Sequence, residues 1–222
     1  MTTELVRAKL LPHAEDDDLT VDIEAFVENH LGLPLDQYAE LEPDVLGVTD
    51  FVPNERPRVS ISRDLTGSAL DEDDATPGLV GRWRATVAHE ASHVLLHRHI
   101  FELDDNQGSL FRMPKHDHGH GHGQLQRCLK RDVGYERPIS DWKEIQANMG
   151  MGVLLMPKSV FQKAARAETE LLGIGENSIL SGSNEHLALI DRLARRFTVS
   201  KQATRIRLDK FGIVHAAAQA TL

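Results

Sequence analysis

Apolar positions first recur at helical spacing around residues 19–32, where Leu19, Val21, Ile23, Phe26 and Val27 are interleaved with polar side chains. The acidic run at residues 15–18 lies at the entry, where carboxylates favour a helix dipole, and Gly32 offers a stop. An amphipathic helix is expected there. Between residues 44 and 64 the pattern becomes β-like. Val45, Leu46, Val48, Phe51 and Val52 precede the turn signal Asn54-Glu55-Arg56-Pro57, and Val59 and Ile61 alternate after it. That order predicts a hairpin. Residues 65–81, with four consecutive acids at 71–74 and Pro77-Gly78, read as an exposed loop separating a small α/β lobe from the next helix.

No proline or glycine interrupts residues 82–98, and Val87, Ala91, Val94 and Leu95 mark an apolar helix face. Residues 104–140 read as a long irregular stretch, since its glycine density does not hold a helix. Helical spacing resumes over residues 141–156, 158–172, 184–197 and 200–211. Only Thr198-Val199 separates the last two, and Ser200 is suited to cap the final one. The pattern predicts an α+β, mainly helical fold with a small β-hairpin or sheet. We divide it into residues 1–183, carrying the insertion at about 104–140, and a helix-turn-helix-like segment at 184–222.

A chain of 222 residues supports one sizeable core. Its net charge of −9 argues against broad attraction to nucleic acid or to an anionic membrane. The opening MTTELVRAKLLPHAEDDD lacks the apolar core of a secretory leader, and no run is long enough to span a bilayer. A cytoplasmic protein is expected. The single Cys128 excludes an internal disulfide and reads as a small packed hydrophobe.

Histidine is the unusual component, with twelve residues. His89 and His93 are four positions apart, so on a helix they lie one turn apart on one face and can converge on an ion. Zinc accepts imidazole nitrogen, and three protein ligands with an open fourth position make a catalytic site. Glu90, beside the first ligand, is placed to act as general base for an attacking water. The third ligand has competing candidates. His99 stands where an extended HExxHxxGxxH pattern would place it, but Leu96 replaces the glycine that lets the chain turn back. An unbroken helix carries His99 about 9 Å beyond His93. His97 lies on the ligand face one turn further on, which suits an orienting role. Glu144, on the later helical segment, is the better third ligand, with Asn148 one turn along the same face to orient a ligand or touch substrate.

Three segments of the chain resemble the ImmA/IrrE family of bacterial and phage metallopeptidases. They are Arg84-Ala85-Thr86-Val87-Ala88-His89-Glu90-Ala91-Ser92-His93-Val94-Leu95-Leu96-His97, the Glu144-Ile145-Gln146-Ala147-Asn148 run leading to Leu154-Leu155-Met156-Pro157, and Leu193-Ala194-Arg195-Arg196-Phe197-Thr198-Val199-Ser200. The resemblance implies a zincin-like catalytic domain in which His89, His93 and Glu144 bind Zn2+ and Glu90 is the base. It implies a protein substrate, a helix-turn-helix transcriptional repressor cleaved in a stress-response or mobile-element switch. The chain departs from the family pattern at Ser92, where glycine is common, and at Gly150 and Gly152, where larger residues often stand. Tyr135, His97 and Arg84 are candidates for stabilising the oxyanion.

His116, His118, His120 and His122 alternate through a glycine-rich loop able to capture an accessory metal. The C-terminal segment is locally basic through Arg192, Arg195, Arg196, Lys201, Arg205, Arg207 and Lys210. Packing or protein docking is the favoured use of these helices over DNA binding. The competing function is a non-enzymatic, zinc-containing regulator that binds DNA or a repressor through them. Oligomeric state is not legible in the sequence.

Overall fold

The computed structural model describes residues 1–52, 55–71, 73, 75–103, 124–129, 141–174 and 179–214, with backbone alone at 101–103 and 124–129. It is α+β and mainly helical. The chain opens with α1 (Thr2–Ala8), which the apolar pattern did not announce, and then forms α2 (Ile23–Ala25), capped by the Asp22 carboxylate. In place of a regular amphipathic helix to Gly32, a π-turn over Phe26–His30 follows α2. It still buries Phe26 and Val27.

Strands β1 (Leu35–Ala39), β2 (Val45–Phe51), β3 (Arg58–Ser62) and β4 (Gln124–Leu129) form one sheet in the order β1-β3-β2-β4. The expected hairpin is the antiparallel β2–β3 pair, with Val48 opposite Ser60 and Thr49 opposite Val59. β1 joins β3 in parallel, and β4 pairs antiparallel with β2. β4 corrects the reading of residues 104–140 as irregular throughout. Its six residues are flanked by glycine and charge, and a strand that short leaves little periodicity to detect.

A second correction concerns residues 65–81. Helix α3 (Arg63–Leu70) buries Leu65, Thr66 and Ala69, and α4 (Pro77–Leu103) begins at the proline that had suggested a loop. Proline is tolerated in a first helical turn because its missing N–H would have no intrahelical partner there. The remaining helices are α5 (Trp142–Leu155), α6 (Lys158–Leu171), α7 (Asn184–Phe197) and α8 (Lys201–Lys210), close to the expected spans. Ser183 and Ser200 cap the last two through their hydroxyls, and Thr198 takes the left-handed conformation that closes α7.

One hydrophobic cluster runs through these layers. Leu189, Leu193, Phe197 and Leu208 from the C-terminal helices belong to it, together with Ile61 from the sheet and Val87 and Ala91 from α4. The Phe161 and Phe197 rings meet at 5.4 Å. Polar ties reinforce the packing. The buried Arg84 donates to Val21 O at 2.7 Å and to Thr198 O at 3.2 Å, pinning α4 to the N-terminal segment and to the α7–α8 turn. Helix α4 therefore lies between β2 and α5, with its middle turn enclosed from both sides. No helix of the described residues is long and apolar enough to cross a membrane.

Candidate metal centre

His89, Glu90 and His93 occupy the middle of α4 and are fully buried. Glu144 enters from the first turn of α5 and is 6% exposed. The continuous helix makes His89 and His93 adjacent rungs of one ladder, and the α4–α5 packing brings the carboxylate across to them. His89 Nε2 lies 3.0 Å from His93 Nε2 and 3.0 Å from Glu144 Oε2, while His93 Nε2 lies 3.4 Å from Glu144 Oε1. A tetrahedral ion with bonds of about 2.0–2.1 Å spaces its ligand atoms by about 3.3 Å. The three donors have that spacing, and the group is able to hold a metal ion.

Hydrogen bonding on the far side of each ring sharpens this point. His89 Nδ1 faces Asn148 Oδ1 at 3.1 Å, and an amide oxygen only accepts, so the proton of a neutral His89 sits on Nδ1. His97 Nε2 faces Gln146 Oε1 at 3.2 Å, which places the His97 proton on Nε2 and leaves its Nδ1 as an acceptor. His93 Nδ1, 3.0 Å from His97 Nδ1, is then the donor of that pair. Both ligand rings consequently present bare Nε2 lone pairs to each other and to a carboxylate. Such a trio repels unless a cation or a proton lies between its members.

The electrostatics reflect the same crowding. Burial lowers the His93 pKa to about 4 and also lowers that of His97. For His89 burial acts downward as the largest influence, yet the Glu144 hydrogen bond and the neighbouring carboxylates outweigh it and the net shift is upward. Burial pushes the Glu144 carboxyl up, but its bonds to the two imidazoles prevail and hold it well below the usual range. Glu90 is lifted to about 7, chiefly by burial, against the opposing pull of His89 and the Thr49 hydrogen bond.

Two residues with no motif signature hold Glu90. Thr49, buried on β2, donates its hydroxyl to Glu90 Oε2, while Oε1 has no hydrogen-bond partner among the described residues. Gly47, also on β2, lets the carboxylate lie against the strand. A Cβ there would sit 2.8 Å from Thr86 Cγ2 and 2.9 Å from Glu90 Oε1. Gly47→Ala should cost about 1–3 kcal/mol of stability through overpacking. A thermal midpoint equal to that of the parent protein would show that the strand can yield.

Ser92 on α4 and Gly150 on α5 are close neighbours. A Cβ on Gly150 would lie 2.6 Å from Ser92 Oγ, which itself donates to Ala88 O at 2.7 Å. Glycine on α5 therefore leaves room for Ser92 and for the Met1 side chain, which a Cβ would meet first, and preserves the close helix approach that delivers Glu144.

His97 is a partner of His93 and packs edge-on against Trp142 at 5.5 Å. Its replacement by Phe keeps the ring but removes the acceptor for His93, and metal affinity should fall by roughly 10- to 100-fold. Competition with a chromophoric chelator would read this, and an affinity within about twofold of the parent would exclude the orienting role. Arg84 is committed to Val21 and Thr198 carbonyls, which corrects its candidacy for the oxyanion. His99 is exposed on the unbroken helix, away from the donors, as the rise per residue requires. Tyr135 and the four histidines at 116, 118, 120 and 122 lie outside the described residues.

The basic C-terminal residues are largely engaged internally. Arg192 and Arg196 both pair with the buried Glu168, Arg195 and Lys201 pair with Asp191, and Arg207 donates to Met156 O. Much of the positive charge counted in the sequence is thus neutralised or structural. No protein-family model matches this chain and no curated protein matches it, so the likeness to the ImmA/IrrE peptidases stands on the motif residues alone.

Proposed function

We propose that this protein is a zinc-dependent endopeptidase that cleaves a protein substrate, a helix-turn-helix transcriptional repressor by the resemblance, in a stress-response or mobile-element switch. The observation that carries the reading is the convergence of two imidazole nitrogens and a carboxylate at 3.0–3.4 Å, with a buried carboxylate next to them in sequence. His89, His93 and Glu144 would hold the zinc. When bound, zinc supplies Lewis acidity, which makes water acidic near neutral pH and polarises a carbonyl oxygen.

The chain's own residues divide the remaining work. Asn148 and His97 fix the ring orientation and tautomer of the two histidine ligands. Glu90 accepts a proton from the attacking water at Oε1, the oxygen that Thr49 does not occupy, and then passes it to the departing amine nitrogen. Thr49 holds the carboxylate in place during both transfers.

The reading is tested by co-expressing the chain with a helix-turn-helix repressor from its own genome. A cut that requires zinc and disappears in Glu90→Gln is expected. A zinc-loaded protein that leaves the repressor intact would refute the proposal.

A further inference from the structure

A cleft of about 330 Å³ opens between α4, α5 and α8. Asn148 forms part of its wall and also faces His89 Nδ1 at 3.1 Å, so the cleft and the donor cluster share a side chain. Three methionines, Met149, Met151 and Met156, stand in its apolar lining beside Ile145, Leu155 and Ile206. Unbranched thioether side chains adapt to differently shaped apolar partners. From Ile145 and Met149 in the cleft wall the apolar surface continues along α5 to Trp142. Trp142, Ile145 and Met149 stand at i, i+3 and i+7 and are 45%, 43% and 53% exposed, a stripe of large side chains that solvent alone does not favour.

Charge selects among occupants. Acids outnumber bases by 34 to 25 in the whole chain, yet the cleft is lined by Arg207 and Lys210 and by no Asp or Glu among the described residues. Arg207 is held rigidly, donating twice to Met156 O and lying over the Phe211 ring at 4.6 Å, so its charge is fixed at the wall. We propose that this cleft is a docking groove for an amphipathic, acidic peptide segment. The segment inserts a bulky apolar side chain among the methionines and sets a carboxylate near Lys210 and Arg207. The proposal rests on the peptidase reading: Asn148 meets His89 at Nδ1, on the side of the ring away from the converging donors, so the groove holds a segment of the substrate apart from the bond that is cut.

The test uses the full chain carrying Glu90→Gln and two fluorescein-labelled twelve-residue peptides. One is built of Leu, Phe and Glu, and its twin has Lys in place of every Glu. The acidic peptide should bind with or without zinc, at least roughly tenfold more tightly than its basic twin. Ile206→Glu should weaken it by roughly tenfold or more. Lys210→Glu should narrow or reverse the preference between the peptides, and both variants should retain the parent zinc affinity and thermal midpoint.

Equal binding of the two peptides, or indifference to Ile206→Glu, would overturn the groove. So would displacement of the acidic peptide by random duplex DNA, or a dimer in sedimentation that Ile206→Glu dissolves. The two readings fail separately. Acidic peptide that docks in the groove of a zinc-loaded protein that leaves the repressor intact counts against the peptidase alone. Repressor cleavage that Ile206→Glu leaves unchanged counts against the groove alone.

Discussion

Replacing Glu90 by Gln is expected to abolish measurable proteolysis while making the metal-free protein more stable at pH 8. In the proposed mechanism Glu90 carries the proton, a contribution of roughly 10²–10⁴ in rate for a positioned general base. The gain in stability follows from burial. The folded carboxyl titrates at about 7 against an ordinary 4.5, so its acid form is the one the fold prefers. Its contribution is fully present below pH 4.5, declines as the pH rises, and is lost through pH 7. Above that, ionised Glu90 costs on the order of 3 kcal/mol relative to a neutral isostere, less whatever the unpartnered amide of Gln gives back. Thermal midpoints of metal-stripped parent and variant should therefore coincide near pH 4 and separate by pH 8, with the variant higher. Undiminished proteolysis would remove Glu90 from its role, and a pH-independent gap would show that the carboxylate is not penalised by burial.

The parts of this site that were legible in the sequence are those whose geometry is local. His89 and His93 are related by one helical turn, so spacing alone places them together, and the rise per residue alone carries His99 away. Glu144 required a guess about how two helices cross, and the residues Glu144 to Asn148 supported it because both side chains must share one face of α5. What spacing does not encode is the contribution of the sheet. Thr49 reaches Glu90 because β2 packs against α4, and no pattern in β2 distinguishes Thr49 from an ordinary inward-facing threonine. Gly47, on the same strand, makes room for the carboxylate through its missing Cβ.

The errors of sequence reading have a common physical origin. Pro77-Gly78 and the acids before it read as a loop because each disfavours helix interiors. Pro77 in fact opens α4, where its lack of an N–H does no harm. β4 is recognisable only through its pairing with β2, a contact between segments far apart in the chain. For the basic C-terminal helices the favoured reading, packing or protein docking, names no partner for each charge. Folding brings the single buried carboxylate of Glu168 between Arg192 and Arg196, and charge that pairs internally has no signature in a list of residues.

Replacing Glu144 by Ala is expected to remove most of the stabilisation that zinc confers. Structural zinc binding of about 10–16 kcal/mol shared among four ligands assigns each roughly 3 kcal/mol, which is about a hundredfold in affinity. Loss of the carboxylate also removes the group that both imidazoles face, at 3.0 Å from His89 and 3.4 Å from His93. At a zinc concentration about 100 times the parent dissociation constant, binding stabilises the parent by about 2.7 kcal/mol. For a chain of this size that corresponds to a rise of roughly 5–10 °C in the thermal midpoint. The variant at the same concentration gains only about 0.4 kcal/mol, a rise of about 1 °C. Without metal the two proteins should also differ with pH. Glu144 titrates below its ordinary range, so its contribution is present above pH 4.5 and lost on acidification, and the gap between parent and variant should close as the pH falls. A variant that keeps the full zinc-dependent shift would mean that the metal lies elsewhere, and the 3.0–3.4 Å convergence would then have to be held by a proton.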